Sequence, residues 1–295
     1  AVSQADVRIA IWKERRVEMA FEHDRFFDLV RTGQAKAAFD IDGTLISREK
    51  HVVLESTIIA LKKLQANGIR IALASGRPTF ALEPSLVEAI KFDYFICSNG
   101  TYIIDQSGND IFKDELSEET VESLSEDIKE RDEALFFEFK HNFYIYHGYQ
   151  RMLSMIEKCY GRVELLKDDR SSTSRHKQEL PVSGVAFIKD ENVAYFRNKY
   201  KAYRFENFMG KYYDIYSYAS TKATGIQHLC EKVGIAMSDV VCFGDALNDI
   251  AMIQECGCGV AMGDALKEVK EVADYITTKS DEDGIYNACE HLKLI

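Results

Sequence analysis

The chain has 295 residues, enough for about two domains, and 46% hydrophobic with 29% charged residues place it among folded globular proteins rather than disordered chains. Lys and Arg number 37 against 48 Asp and Glu, a formal charge of −11 and the wrong sign for a surface that must neutralise nucleic acid or an anionic membrane. No apolar run approaches the roughly 18 residues of a transmembrane helix, charges at 13–16 interrupt any export signal, and seven cysteines without a CxxC pair suit a reducing, cytoplasmic setting.

In chain order, residues 1–35 read as a helical extension, with Trp12, Phe21, Phe26 and Phe27 set among charges and Gly33 as a stop. A strand at 35–39 runs into Asp40-Ile41-Asp42-Gly43-Thr44. A helix at 55–66, with Ile58, Leu61 and Leu64 on one face, is followed by Gly68 and a strand at 69–73, which makes a βαβ unit. A short strand at 94–97 and a hairpin over 102–112 come next. The texture then changes to an acidic helix at 117–132, an aromatic alternating strand region at 136–146, a polar exposed loop at 167–178, a strand at 182–188, a helix at 191–200 and a strand at 211–218. From Thr221 the βα rhythm returns: a helix stopped by Gly234, a strand at 239–243, a loop, a helix carrying Ile250 and Ile253, and further alternation to residue 292. The fold class is therefore α/β, a parallel-sheet domain interrupted by an α+β insert over 114–216. Ligands are expected at the carboxyl ends of the parallel strands, beneath the insert.

Four polar clusters fall at those strand ends: Asp40 with Asp42, Ser75-Gly76-Arg77, Lys222, and Gly244-Asp245 with Asn248-Asp249. Asp40 and Asp42, at i and i+2, project to one side and repel unless a cation or a shared proton relieves them; alone they suit an Asx turn as well. Ser75 and Gly76 offer a hydroxyl and free amides, an anion seat or a plain loop. Lys222 near a helix start is ordinarily solvated, and the segment 244–249 alone is an ordinary capped turn.

Taken together and in this order, FDIDGTL at 39–45, ASGR at 74–77, Lys222 and GDALND at 244–249 resemble the four motifs of the haloacid dehalogenase superfamily of phosphohydrolases. Residues 259–265 (GVAMGDA), 273–277 and 281–285 are similar to its Cof-like branch with a type C2B cap. Asp264 stands where that branch more often has Asn, and residues 1–35 have no counterpart. The resemblance implies a Rossmann-like doubly wound parallel-sheet core (36–113 and 217–295) with an inserted α+β (C2B) cap (114–216). It further implies an Mg2+-dependent phosphatase for small organic phosphate monoesters, sugar phosphates first, working through an aspartyl phosphate. On this resemblance Asp40 attacks phosphorus. Asp42 protonates the leaving group and then activates water. Lys222 offsets charge, while Ser75, the Gly76 amide and Asn248 hold the substrate. Asp40, the main-chain carbonyl of Asp42, Asp245 and Asp249 surround magnesium. With Asp42 protonated, three carboxylates are balanced by magnesium and Lys222 before a dianionic phosphoryl group arrives. Arg77 either reaches the substrate or pairs within the fold.

The expected partner is a small phosphorylated metabolite, with no nucleic acid and no membrane, and the chain is expected as a monomer or homodimer. A sugar phosphomutase and a non-enzymatic phosphometabolite sensor are the alternatives. In the insert, Arg170, Arg175, His176 and Lys177 read as a solvated loop, and Tyr144, Tyr146 and His147 as sheet packing.

Overall fold

A computed structural model describes residues 36–295, so the helical extension expected over 1–35 lies outside the described residues. The chain starts in β1 (Lys36–Phe39), passes through α1 (Glu55–Ala66) to β2 (Arg70–Ala74), and through α2 (Pro84–Ala89) to β3 (Tyr94–Cys97) and the hairpin β4 (Tyr102–Asp105) and β5 (Asp110–Lys113). Helix α1 buries Ala60, Leu61 and Leu64 on one side, and Glu55 in its first turn and Lys63 in its last complement its dipole.

A second layer follows: α3 (Glu118–Glu130), β6 (Ala134–Glu138), β7 (Phe143–His147), α4 (Tyr149–Tyr160), β8 (Leu166–Asp168), β9 (Ser183–Phe187), α5 (Asp190–Lys199), β10 (Tyr203–Met209) and β11 (Tyr212–Ser217). The chain then returns through α6 (Lys222–Val233), β12 (Val240–Gly244), α7 (Ile250–Glu255), β13 (Cys258–Ala261), α8 (Lys267–Lys270), β14 (Tyr275–Ile276) and α9 (Gly284–His291).

Eight strands form the large sheet in the order β14-β13-β12-β1-β2-β3-β4-β5, parallel from β14 to β3 and antiparallel beyond. The smaller sheet has the order β10-β11-β9-β6-β7-β8 and is antiparallel except for β7 with β8. The α/β expectation and the inserted second layer are thus both present. In the small sheet, α3 and α5 cover one face with Val121, Leu124, Ile128 and Phe196. Met152, Met155 and Ile156 of α4 pack with Phe136 and Phe143 on the other, which meets Phe80 and Ala81 of the large-sheet half.

Strand β1 lies between β12 and β2, with Phe39 in register with Phe243 on one side and Leu73 on the other. The rings of Phe39 and Phe243 stack at 4.5 Å between centroids. That register decides the site, because the residues leaving these three strands emerge level with one another. The crevice between oppositely routed neighbours is where an open parallel sheet binds its ligand.

Three local differences from the sequence reading have simple causes. The 136–146 region is a hairpin of two strands rather than one, folded at 139–142. Helix α4 and edge strand β10 occupy stretches where no element was expected. The polar segment 167–178 is not uniformly exposed: it contributes β8 and a turn of 3-10 helix at Arg175–Lys177 that buries His176. Among the described residues no helix is long and apolar enough to cross a membrane. All seven cysteines are free thiols, five of them buried.

Candidate active site

Asp40 follows β1 directly, and its N–H donates to the Phe243 carbonyl at 3.0 Å, so the main chain fixes it against β12. Asp245 follows Gly244 at the end of β12, and Asp249 closes the next turn with one carboxylate oxygen accepting the Asp245 and Ala246 N–H groups at 2.9 Å each. Lys222 is the first residue of α6, whose start is fixed by a reciprocal cap between Thr221 and Thr224. An ammonium in the first turn opposes the helix dipole. It is held there by carboxylates: Lys222 Nζ lies 2.5 Å from Asp40 Oδ1 and 2.7 Å from Asp249 Oδ1. All four side chains are buried, Lys222 to 1% exposure and Asp245 and Asp249 to 0%.

The electrostatics follow from that packing. Burial pushes the Asp40 carboxyl well above the ordinary carboxylate range; Lys222 opposes the shift, and Asp249 and Asp245 add to it. Burial also raises Asp245, against the pull of Arg48. Burial works against the Lys222 charge, yet Asp249 and Asp40 together hold its pKa above the ordinary lysine value. Carboxylate oxygens of Asp40, Asp245 and Asp249 all lie within 4.8 Å of one another. An all-oxygen donor set, buried and short of positive charge, fits a hard divalent cation of the magnesium type.

The other expected residues are arranged around this cluster. Asp42 is not among the converging carboxylates. Its side chain is 56% exposed at the rim, and both its oxygens accept the Arg77 guanidinium, from Nε at 2.8 Å and Nη2 at 2.7 Å. Arg77 thus pairs within the fold, one of the two readings the sequence left open. Ser75 is buried, with its Oγ accepting the Arg77 N–H at 3.1 Å, and Gly76 opens onto the cleft beside it. Asn248 donates to Asn99 Oδ1 at 3.2 Å.

Two participants escaped the sequence reading. Arg48 donates to Asp245 Oδ2 from Nε at 2.9 Å and also from Nη2, while Thr44 donates to the other oxygen at 3.0 Å. The balance of three carboxylates against one lysine and one metal therefore omits two guanidiniums, Arg48 and Arg77. Arg48 arrives through the bridge between Ile46 and Val53, which folds 43–53 back over the strand ends. Gly43 makes this possible: it holds φ +91°, and a Cβ there would strike the Asp245 carboxylate. Asn99 and its neighbour Ser98 both hold positive φ, 55° and 52°. Such backbone persists only when its surroundings fix it. Here Ser98 Oγ donates to Glu138 of β6, which also accepts Ser183 Oγ at 2.7 Å. Asp264, at odds with the resemblance, anchors the chain at Ser280, accepting its N–H at 3.0 Å and its Oγ hydroxyl at 2.7 Å.

Between the two layers these groups open into a cleft of about 280 Å³. Its floor holds Asp40, Asp42, Ser75, Gly76, Asn99 and Asn248, and its roof includes Phe136, Met155, Tyr160, Val185 and Asp214. The arrangement offers a buried carboxylate opening onto the cleft beside a lysine, an aspartate trio suited to a cation, and a roof that mixes apolar side chains with Tyr160 and Asp214.

The sequence profile of the haloacid dehalogenase-like hydrolases matches residues 37–289. The SusD family profile matches residues 1–57, a minor part of the chain that overlaps the first match. The chain is 28% identical over 255 residues to the 5-amino-6-(5-phospho-D-ribitylamino)uracil phosphatase YcsE of Bacillus subtilis (strain 168), covering 86% of this chain and 94% of that one. Among solved structures, a protein from Geobacillus kaustophilus HTA426 superposes with TM-score 0.78 at 30% identity, covering 88% of this chain and 99% of the other. The HAD subclass IIB sugar phosphatase BT4131 superposes with TM-score 0.74 at 29% identity, covering 88% and 100%.

Proposed function

The chain belongs to the haloacid dehalogenase-like hydrolase family as a phosphatase, and from that premise we propose that it hydrolyses small organic phosphate monoesters, sugar phosphates foremost, through an aspartyl phosphate on Asp40. The observation that carries this reading is the buried convergence of Asp40, Asp245 and Asp249 with Lys222, of which Asp40 opens onto the floor of a small cleft. At about 280 Å³ the cleft sits just below the roughly 300–1,000 Å³ of small-molecule pockets, which favours a small ester over a macromolecule. The reading divides the chain into a catalytic core of 36–113 and 217–295 and a cap of 114–216.

An Asp40 carboxylate oxygen forms a bond to phosphorus as the ester P–O bond breaks. Asp42 gives its proton to the departing alkoxide and later takes one from the water that attacks the phosphoryl-enzyme, so that inorganic phosphate leaves and Asp40 is restored. Ser75, the Gly76 amide and Asn248 hold the non-bridging oxygens, and Lys222 offsets the charge that spreads over them. Asp40, the main-chain carbonyl of Asp42, Asp245 and Asp249 would hold magnesium, which would supply cancellation of negative charge where nucleophile and ester meet. Arg77 must loosen its fork on Asp42 when Asp42 carries the proton. The roof then selects the alcohol: Asp214 suits a hydroxyl-rich leaving group. A second reading, an ester bearing a flat ring such as a flavin, pyridoxal or nucleotide phosphate, rests on Phe136, Met155 and Val185 in the same roof.

The test is phosphate release from a panel of both ester types, with and without magnesium, by the wild type and Asp40→Asn. Turnover that requires magnesium and drops about a thousandfold or more in the variant is expected. Equal turnover in the two proteins removes Asp40 as nucleophile. Binding without release moves the sensor ahead, and isomer interconversion with a bisphosphate activator moves the mutase ahead.

A further inference from the structure

A second convergence of ligating side chains lies on the opposite side of the small sheet from the cleft. Helix α3 begins at Glu118, and Glu118 and Glu122, four residues apart, stand on one face of its first turns with both side chains exposed. Two carboxylates so placed repel each other. Facing them, the turn at Arg175–Lys177 directs His176 inward, where it is only 4% exposed. Its Nδ1 lies 2.9 Å from the Tyr146 hydroxyl, which also accepts the His176 backbone N–H at 3.1 Å. Its Nε2 is sealed from solvent without a hydrogen bond and points at Glu122, 3.5 Å from Oε1. Ligand atoms of Glu118, Glu122 and His176 all lie within 4.8 Å of one another.

Neither tautomer satisfies this imidazole by itself. With the proton on Nε2, a buried N–H makes no hydrogen bond to the carboxylate 3.5 Å away, and an unmade buried hydrogen bond is costly. With the proton on Nδ1, donated to Tyr146, Nε2 presents an unused lone pair to two carboxylates. The second arrangement is the one metal-bound histidines adopt, the far nitrogen donating to an outer partner that fixes ring and tautomer.

We propose that Glu118, Glu122 and His176 form a zinc site that pins the 169–179 segment to α3. One imidazole nitrogen with two carboxylate oxygens suits zinc, and the two negative charges cancel its own. Tetrahedral zinc with bonds of about 2.0–2.1 Å spaces its ligand atoms about 3.4 Å apart, near the separation observed between His176 and Glu122. Glu118 and Glu122 are exposed and rotate to close the remaining gap, and water takes the fourth position. Lys177 Nζ, 3.4 Å from Glu122 Oε1, competes for that oxygen, but its side chain is 58% exposed and swings into solvent.

Zinc titration by calorimetry, with excess magnesium present to occupy the aspartate cluster, tests the assignment. The wild type and Asp245→Asn are expected to bind one zinc equivalent alike. Glu122→Gln and His176→Gln are expected to bind at least tenfold more weakly, and Tyr146→Phe about 10–100-fold more weakly through loss of the outer partner. Cobalt in place of zinc gives a visible absorption whose intensity reports a tetrahedral site, and that intensity is expected to be lost with His176. Glu122→Gln alters only an exposed side chain, so it decides the matter where His176→Gln fails to fold. A wild type that takes up no zinc, or a Glu122→Gln protein that binds as the wild type does, overturns the proposal.

Discussion

Lys222 and Arg48 neutralise the buried aspartates on different terms. Lys222 is enclosed and shared between Asp40 and Asp249, so it stays through any cycle of the site. Arg48 is 43% exposed and reaches in from the rim to Oδ2 of Asp245, a carboxylate that a cation at the aspartate trio would share. It therefore competes with the metal. A partly exposed ion pair is worth about 0.5–1 kcal/mol, and 1.4 kcal/mol is tenfold. Arg48→Gln should lower the magnesium concentration giving half-maximal phosphate release by about two- to fivefold, with little change in kcat at saturation. Initial rates across a magnesium series measure it, and a half-saturation point that rises would mean that Arg48 aids metal binding. Asp40, Lys222, Asp245 and Asp249 were legible in the sequence because each sits at the end or start of a regular element whose register is set by apolar neighbours. Arg48, Asn99 and His176 were not: their roles depend on loop paths and on partners 197, 149 and 30 residues away.

At the scale of elements, the placement of Lys222 depends on how closely α6 approaches the turn after β3. Gly225, one turn into α6, lies against Gly100, and a Cβ on Gly225 would come within 2.7 Å of Ile96 Cγ2 and 2.9 Å of the Gly100 Cα. On the facing side, Gly100 holds φ +95° with Thr221 directly above it. Gly225→Ala should push the first turn of α6 outward, costing about 1–3 kcal/mol as overpacking does and moving Lys222 from its carboxylates. Urea denaturation and kcat should fall together, whereas Gln227→Ala, on the exposed face of the same helix, should leave both unchanged. A Gly225→Ala enzyme of full stability and activity would show that the helix approach has slack. The βα elements of the core were readable because their apolar periodicity is uninterrupted and Gly68 and Gly234 mark helix ends. Helix α4 and strand β10 were not, because YQRMLSMIEKCY buries only Met152, Met155 and Ile156, and β10 is an edge strand with exposed Asn207 and Phe208.

Across the whole molecule, the two layers meet around carboxyl groups whose pKa values burial raises. Glu138, at the end of β6, receives Ser98 from the core and Ser183 from the small sheet, and burial carries its pKa up to about 7 against the pull of both serines. Asp214 of β11, in the roof over Asp40, is pushed up to about 8 by burial first, with Glu138 and Glu206 adding repulsion. Both values exceed those of the unfolded chain, near 4, so the folded state binds more protons between about pH 4 and 8. Their contribution to stability is complete below the unfolded values and is lost as pH rises through 7 and 8. The Asp214→Asn variant, neutral at every pH, should match the wild type near pH 4 and melt progressively higher than it toward pH 9. In a chain of this size each kcal/mol is worth roughly 2–4 °C. The same ionisation reaches the substrate: above pH 8 a charged Asp214 faces a dianionic ester across a small cleft. The wild-type KM should therefore climb from pH 7 to 9 while that of Asp214→Asn stays level, with kcat parallel in the two. Melting curves and KM at five pH values test both halves. Should the variant and the wild type melt in parallel from pH 4 to 9, Asp214 keeps its charge in the fold, and the roof selects its alcohol through an ionised carboxylate instead.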